Sequence, residues 1–345
     1  MRQSVRRVLD ADPEIEVLDT ARDGLDALVK IERLQPDVVT LDVEMPNLDG
    51  LSALRLLMER FPRPVVMFSS LTAAGTDATV QALSLGAADF LCKPSGQSSA
   101  GISAIAEELV SKVKRAARAR IRRPLAVTPV RLPVSPAPRL PIGDPAPTRL
   151  LVVGSSTGGP RALAELMGAL PSDLGCAIVI VQHLPAGFTR SLAERLNQLS
   201  PLEITEARDG DILTVGRALL APGDFHLKLG TRRVALDMGP RRHGVRPSVD
   251  TTLEDAAAVF GGSVLGVILT GMGEDGAAGA GAVKAVGGRV LAEDESTCAV
   301  FGMPHAVITA GHADEVVPLD RMAAAIVRHL ELLPERSTRR PSHAY

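Results

Sequence analysis

The stretch Arg149-Leu-Leu-Val-Val153, followed by Gly154-Ser-Ser-Thr-Gly-Gly-Pro160, decides the architecture of the C-terminal half. A short apolar run, a turn of small residues and then a helical pattern over Ala162–Leu170 predict a strand, a tight turn and a helix. The turn lies at a helix N-terminus, where free N–H groups and the helix dipole favour negative charge. Two chemistries use that geometry. One is a backbone cradle for phosphate, and the other is a nucleophile elbow, whose spacing is matched by Gly154-x-Ser156-x-Gly158. A third reading is a tight strand-to-helix connection without chemistry.

The pattern continues on both sides of that stretch. Further strands are predicted at Ala177–Gln182, Gly266–Thr270 and Arg289–Ala292, and helices at Arg190–Leu199, Ala277–Val286 and Arg321–Leu333. This alternation is that of a doubly wound, Rossmann-like parallel sheet. Residues 202–238 lack helical periodicity and read as short strands forming a hairpin insertion. His183 follows the second strand, in His183-Leu-Pro185, and Asp275 follows the third, in Gly271-Met-Gly-Glu-Asp-Gly276. Ligands of open α/β sheets bind outside the carboxyl ends of the strands, so Ser156, His183 and Asp275 can meet at one rim. A serine hydroxyl needs a base to take its proton, and a carboxylate orients the histidine that serves as that base. Taken singly, His183 reads as a turn or core histidine and Asp275 as a helix N-cap.

The N-terminal half follows the same grammar. Helices are predicted at Leu25–Leu34, Leu51–Arg60, Ala78–Leu85 and Ile102–Ala119, and strands at Asp37–Asp42, Pro64–Ser69 and Asp89–Cys92. Asp42 ends a strand and precedes Met45-Pro46 and Asp49-Gly50, Ser69 ends the next strand, and Lys93-Pro94 ends the last. Phosphorylating an aspartate requires an exposed carboxylate, a cation to neutralise phosphoryl charge and a hydroxyl to hold the product. Asp42, Lys93 and Ser69 fit these roles, with Ser70 the alternative hydroxyl. The ordered set resembles a response-regulator receiver domain. That resemblance implies a flavodoxin-like fold opening with a strand that ends in two acidic residues, which hold Mg²⁺. Here Met1–Leu9 resembles the middle of the helix after that strand, and Asp10 and Asp12 come too late to replace the pair. The absent strand would be interior to the sheet. The expectation is therefore a receiver lacking its first strand, a native protein longer at its N-terminus, and weak or absent Mg²⁺-dependent phosphorylation of Asp42 in a chain starting at Met1.

Between the halves, Arg122–Thr148 holds Pro124, Pro129, Pro133, Pro136, Pro138, Pro141, Pro145 and Pro147. Such a chain cannot complete a helix or ladder hydrogen-bond set and reads as a linker of moderate stiffness. The expected domains are residues 1–121, a linker at 122–148, a second domain at 149–333 and a polar tail at 334–345. Composition narrows the function classes. A formal net charge of −2 over 345 residues argues against nucleic acid as a partner, and aromatics of only 2 % leave no stacking platform for bases. The basic run from Lys112 to Arg123 reads as a solvated helix end. Cys92, Cys176 and Cys298 are far apart and odd in number, which fits neither a disulfide framework nor a metal site. No apolar run approaches a membrane span and no signal peptide opens the chain, so a cytoplasmic protein is expected.

The C-terminal half resembles the catalytic domain of chemotaxis protein-glutamate methylesterases. The stretches that carry the resemblance are Gly154-Ser-Ser-Thr-Gly-Gly159, Gln182-His-Leu-Pro185, Gly187-Phe-Thr189, Ala221-Pro-Gly-Asp224, Arg246-Pro-Ser-Val-Asp250, Leu269-Thr-Gly-Met-Gly-Glu-Asp-Gly276 and Phe301-Gly-Met-Pro304. The resemblance implies Ser156 as nucleophile, His183 as general base and Asp275 as its orienting partner. Thr157 and Met272 lie in the loops that stabilise the oxyanion. It also implies methylated glutamates of chemoreceptors as substrate, deamidation of receptor glutamines, a histidine kinase as phosphodonor, and gating by phosphorylation of Asp42. The hydrolysis itself needs no metal or organic cofactor, Mg²⁺ belongs to the receiver alone, and a monomer is expected. Two rival readings remain, a nucleotide-binding regulator and a non-catalytic receiver-based adaptor. The first predicts an acidic residue at a following strand end to hold a ribose, where the sequence has Gln182-His183.

Overall fold

The computed structural model describes residues 1–70, 72–93, 105–119 and 147–336. Pro94, most of the Pro-rich linker and the end of the polar tail lie outside the described residues. The chain divides into two compact units, Met1–Pro129 and Val130–Tyr345.

In the first unit, the helices are α1 (Arg2–Asp10), α2 (Gly24–Leu34), α3 (Gly50–Arg60), α4 (Ala73–Ser84) and α5 (Ala106–Ala117), and the strands are β1 (Val39–Asp42), β2 (Val65–Ser69) and β3 (Asp89–Cys92). The three strands pair in parallel in the order β1-β2-β3. Local chemistry sets the helix starts. Asp23, Asp49 and Thr72 each accept a backbone N–H from the first turn of α2, α3 and α4. The Thr72 cap starts α4 five residues earlier than its apolar pattern predicts. Val5 and Leu9 of α1 pack with Phe68, Leu91, Leu109 and Val113. Residues 15–21 carry neither helix nor strand. Beyond the free edge of β1 lies a slot of about 880 Å³, lined by Leu9, Val17, Val38, Leu41, Phe68 and Val113 among others. Leu41 is among the residues that border the slot, although it is only 3 % exposed.

In the second unit, β4 (Leu150–Ser155) leads through the small-residue turn into α6 (Gly159–Ala169). It is followed by β5 (Ala177–Gln182), α7 (Phe188–Leu199), β6 (Glu203–Glu206), β7 (Arg217–Leu220), β8 (His226–Leu229) and β9 (Val234–Asp237). Then come α8 (Val249–Phe260), β10 (Val264–Ile268), α9 (Ala277–Ala285), β11 (Arg289–Glu293), α10 (Met303–Thr309), β12 (Glu315–Val317) and α11 (Leu319–Leu332). Among the described residues, seven strands form one parallel sheet in the order β12-β11-β10-β4-β5-β7-β6. Strands buried on both faces read as continuous apolar runs, and β4, β5 and β10 are buried at every position. The hairpin expected over 202–238 is only partly found. β8 and β9 do pair antiparallel, but β6 and β7 join the main sheet as parallel strands. α8, α10 and β12 carried no sequence expectation. Among the described residues no helix is long and apolar enough to cross a membrane.

Candidate active site

The strand order reverses between β4 and β10, so the crevice outside their carboxyl ends is the switch point at which such sheets bind ligands. Ser156 sits there. Its N–H donates to the Thr270 carbonyl at 3.0 Å, and the neighbouring His183 N–H donates to the Ser155 carbonyl at 3.2 Å. Two glycines permit the close approach. A Cβ at Gly271 would lie 2.9 Å from Ser156 Cβ, and one at Gly154 would lie 2.4 Å from Val249, fouling α8 against β4. The turn is locked from beneath by Gln182. Its side-chain amide donates to the Ser156 carbonyl at 2.9 Å and to the His183 carbonyl at 3.2 Å, while its oxygen accepts the Ser155 hydroxyl at 2.7 Å.

His183 Nε2 lies 2.8 Å from Asp275 Oδ2. The other ring nitrogen, Nδ1, is therefore the one left for Ser156. The Ser156 hydroxyl has no hydrogen-bond partner among the described residues. Asp275 is 2 % exposed. Besides His183, its Oδ2 accepts the Val249 N–H at 2.7 Å, and its Oδ1 accepts the Ser248 hydroxyl at 2.8 Å and the Asp250 N–H at 2.9 Å. Asp275 therefore sits on the N-terminus of α8 rather than capping its own helix, where Gly276 holds the cap position. Burial alone would push the Asp275 carboxyl up. His183 and the backbone N–H groups of Asp250 and Val249 outweigh it and hold the carboxyl below its ordinary value.

Asp250 answers in kind. It is fully buried, and its Oδ1 accepts the N–H groups of Gly276 at 2.9 Å and Gly279 at 2.7 Å, at the start of α9. Its Oδ2 faces His243 Nε2 at 2.9 Å. Each acid thus anchors the other's helix, which places both the loop carrying Asp275 and the one carrying Ser248. His243, Asp250 and Asp275 bring ligand-type atoms within 4.8 Å of one another. The carboxylate oxygens already accept N–H and O–H donors, which is the chemistry of a hydrogen-bond network and not of a metal ligand set. Sequence reading singled out Ser156, His183 and Asp275, of which His183 and Asp275 are in direct contact. It quoted Gln182, Ser248 and Asp250 only as motif letters, because their partners lie tens of residues away.

Thr157 is held by its carbonyl, which accepts the Thr270 hydroxyl at 3.0 Å. Met272, 46 % exposed, follows Gly271 at the mouth of the crevice. The three cysteines are unpaired, as expected. Burial pushes the Cys176 thiol up to about 12, so it packs as a small apolar group.

At the rim of the first unit, Lys93 Nζ lies 2.7 Å from Asp42 Oδ1 and 3.2 Å from Glu44 Oε2. Desolvation works against the Lys93 charge, but Asp42 and Glu44 raise it above its ordinary value. Ser69 is not beside them. Its hydroxyl is fully buried and donates to the Gly75 carbonyl at 2.8 Å. Ser70 is the hydroxyl at the rim, 3.0 Å from Thr72 Oγ1 and 3.4 Å from Glu44 Oε1. Among the described residues, Asp42 and Glu44 are the carboxylates that meet Lys93 at this rim.

A serine on a strand-to-helix turn, beside a histidine that meets a buried carboxylate, is a constellation that serine hydrolases use, here in the chain order Ser, His, Asp and not that of the α/β-hydrolases. Residues 151–326 match the family model of the CheB methylesterase, and residues 1–104 match that of the response regulator receiver domain. A protein-glutamate methylesterase/protein-glutamine glutaminase of Symbiobacterium thermophilum is 49 % identical over 339 residues, covering 95 % of this chain and 93 % of that protein. One of Thermotoga maritima is 44 % identical over 333 residues, 95 % of this chain and 94 % of that protein. The crystal structure of the Thermotoga maritima CheB methylesterase catalytic domain superposes with a TM-score of 0.52 at 46 % identity, covering 52 % of this chain and 97 % of that one. The chain belongs to the CheB methylesterase family, and it joins a receiver domain to a protein-glutamate methylesterase and protein-glutamine glutaminase that serves chemotaxis adaptation.

Proposed function

We propose that Ser156 is the nucleophile of this methylesterase, His183 its general base and Asp275 the carboxylate that orients the imidazole. The observation that carries this reading is the Asp275 carboxylate, with four donors on two oxygens, one of them His183 Nε2. In the reaction, Ser156 Oγ attacks the side-chain carbonyl carbon of a glutamyl methyl ester while His183 Nδ1 takes the serine proton. The Thr157 and Met272 backbone N–H groups flank the resulting oxyanion. Collapse breaks the bond to methoxide, which leaves as methanol with the proton from His183. Water, deprotonated by the same ring, then hydrolyses the acyl-serine to glutamate and restores Ser156. With a glutamine substrate the leaving group is ammonia and the carbonyl chemistry is unchanged. No metal or organic cofactor takes part in these steps.

The substrate is a receptor helix carrying methylated glutamates, and the enzyme is a cytoplasmic monomer. Residues 1–121 form the receiver, 122–148 the linker, 149–333 the esterase and 334–345 the tail. A chemotaxis histidine kinase supplies the phosphoryl group to Asp42. Lys93 balances its charge, and Ser69 reaches it by leaving the Gly75 carbonyl. The unphosphorylated receiver restrains the esterase, and phosphorylation favours the unrestrained state. Receptor membranes carrying methyl esters test both parts by methanol release. Ser156→Ala abolishes release, and release undiminished in that variant overturns the nucleophile assignment. Removing residues 1–121 raises release above that of the intact, unphosphorylated chain; an equal or lower rate overturns restraint by the receiver.

A further inference from the structure

Beneath the elbow lies a carboxyl group that the steps above do not use. Glu293 ends β11, and its side chain is 0 % exposed. Its Oε2 accepts the Thr270 N–H at 2.7 Å, whereas Oε1 has no hydrogen-bond partner among the described residues. Thr270 is the hub of the site. Its carbonyl takes the Ser156 N–H, its hydroxyl donates to the Thr157 carbonyl, and its hydroxyl oxygen accepts the Val300 N–H at 3.0 Å. Two hydrogen bonds therefore connect Glu293 to Ser156, and two connect it to Thr157.

The groups that act on Glu293 are the Thr270 N–H, Thr297 and Cys298 from the loop after β11, and Glu165 from α6. The two titratable ones, Glu165 and Cys298, offer no positive charge. A buried carboxylate without a counter-ion and with one oxygen unpartnered is costly. Burial is the main reason that the Glu293 carboxyl is pushed up to about 7, with Glu165 adding to it. Thr270, Thr297 and Cys298 favour the charged form, but burial outweighs them, and Oε1 has no hydrogen bond among the described residues to hold the new charge. Rotation toward water relieves that charge, and the same rotation abandons the Thr270 N–H.

We propose that Glu293 is a positioning residue for ester hydrolysis: as a neutral acid it fixes the Thr270 turn, and with it Ser156 and Thr157, and on ionising it loosens that turn and slows turnover. The inference rests on the reading of Ser156 as nucleophile. It gives the enzyme an alkaline limb that the histidine base alone does not produce, since deprotonating His183 only activates it.

The test is the pH profile of kcat for methanol release by the full chain, with Ser156→Ala measured alongside. The parent rate falls above about pH 7, where Glu293 ionises. Glu293→Gln retains an oxygen for the Thr270 N–H and cannot ionise. Its alkaline fall disappears, so the ratio of kcat at about pH 8.5 to that at about pH 6.5 rises roughly ten-fold. Glu293→Ala orphans the Thr270 N–H and lowers kcat about ten-fold below about pH 7, a gap that closes as the parent's Glu293 ionises, with KM little changed. An alkaline limb in Glu293→Gln equal to the parent's, with Ser156→Ala inactive, overturns the inference and leaves the nucleophile assignment standing. Activity in Ser156→Ala overturns both. Should Glu293→Gln fail to fold, the parent alone decides by infrared spectroscopy. A protonated-carboxyl band that fades with the same midpoint as the rate supports the inference, and no such band at about pH 6 overturns it.

Discussion

Two aspartates stand at the carboxyl ends of parallel sheets in this chain, and their surroundings differ in kind. Asp275 is buried and accepts four donors on its two oxygens. Asp42 is about a quarter exposed, and Lys93 and the Glu44 N–H both meet its Oδ1. The difference matches the work proposed for each. A carboxylate that orients a histidine must stay ionised and still, and saturating its lone pairs achieves both. A carboxylate that attacks phosphorus must keep an oxygen free, and Oδ2 of Asp42 accepts no hydrogen bond among the described residues. The sheets beneath them differ likewise. The esterase strand β4 is paired on both sides, by β5 and β10, whereas β1 of the receiver pairs with β2 alone and faces a slot on its other side.

The contrast between the aspartates breaks most sharply at Asp275→Asn. The amide keeps the volume but carries no charge, and its NH₂ would face at least one of the donors now bound, an unpaired clash in a buried site. The imidazole then loses its orientation and the stabilisation of its charged form, and kcat falls by about 10³- to 10⁴-fold. Steady-state methanol release measures it. A variant retaining more than about a tenth of the parent kcat would mean that His183 is oriented by something other than this carboxylate.

Much of this arrangement could be read from the chain, and what could not has a common cause. Continuous runs of Val, Ile and Leu, closed by turn residues, located β5 to the residue at Ala177–Gln182 and β2 and β4 to within two residues. Ser156 and His183 could be singled out because each directly follows a strand, and Asp275 because it lies in the loop after β10, so that all three strand ends face the same rim. Ser248, Asp250 and Glu293 could not, since each acts through a partner between 23 and 29 residues away, and no local pattern announces such a bond. The parallel placement of β6 and β7 was missed because a strand's own side chains do not say whether its neighbour runs with it or against it. Ser69 sits at the strand end where it was sought, but its hydroxyl turns toward the Gly75 carbonyl, a choice fixed by the start of α4.

The contrast between the sheets sharpens in a pair of identical truncations. Leu151 in β4 is fully buried, with Ile178 of β5 and Leu265 of β10 as its strand neighbours. Leu41 in β1 is almost as inaccessible, but part of its surroundings is the slot. Accessibility alone therefore predicts equal costs for the two. Contact energy does not, because a side chain facing a void has no atoms to lose on that side. Leu151→Ala opens a cavity in close-packed surroundings and costs about 3–5 kcal/mol. Leu41→Ala only enlarges a gap already present and costs about 1–2 kcal/mol. Chemical denaturation followed separately for each unit measures both. Equal losses would mean that β1 is packed on both sides in solution, so that some segment fills the slot beside it.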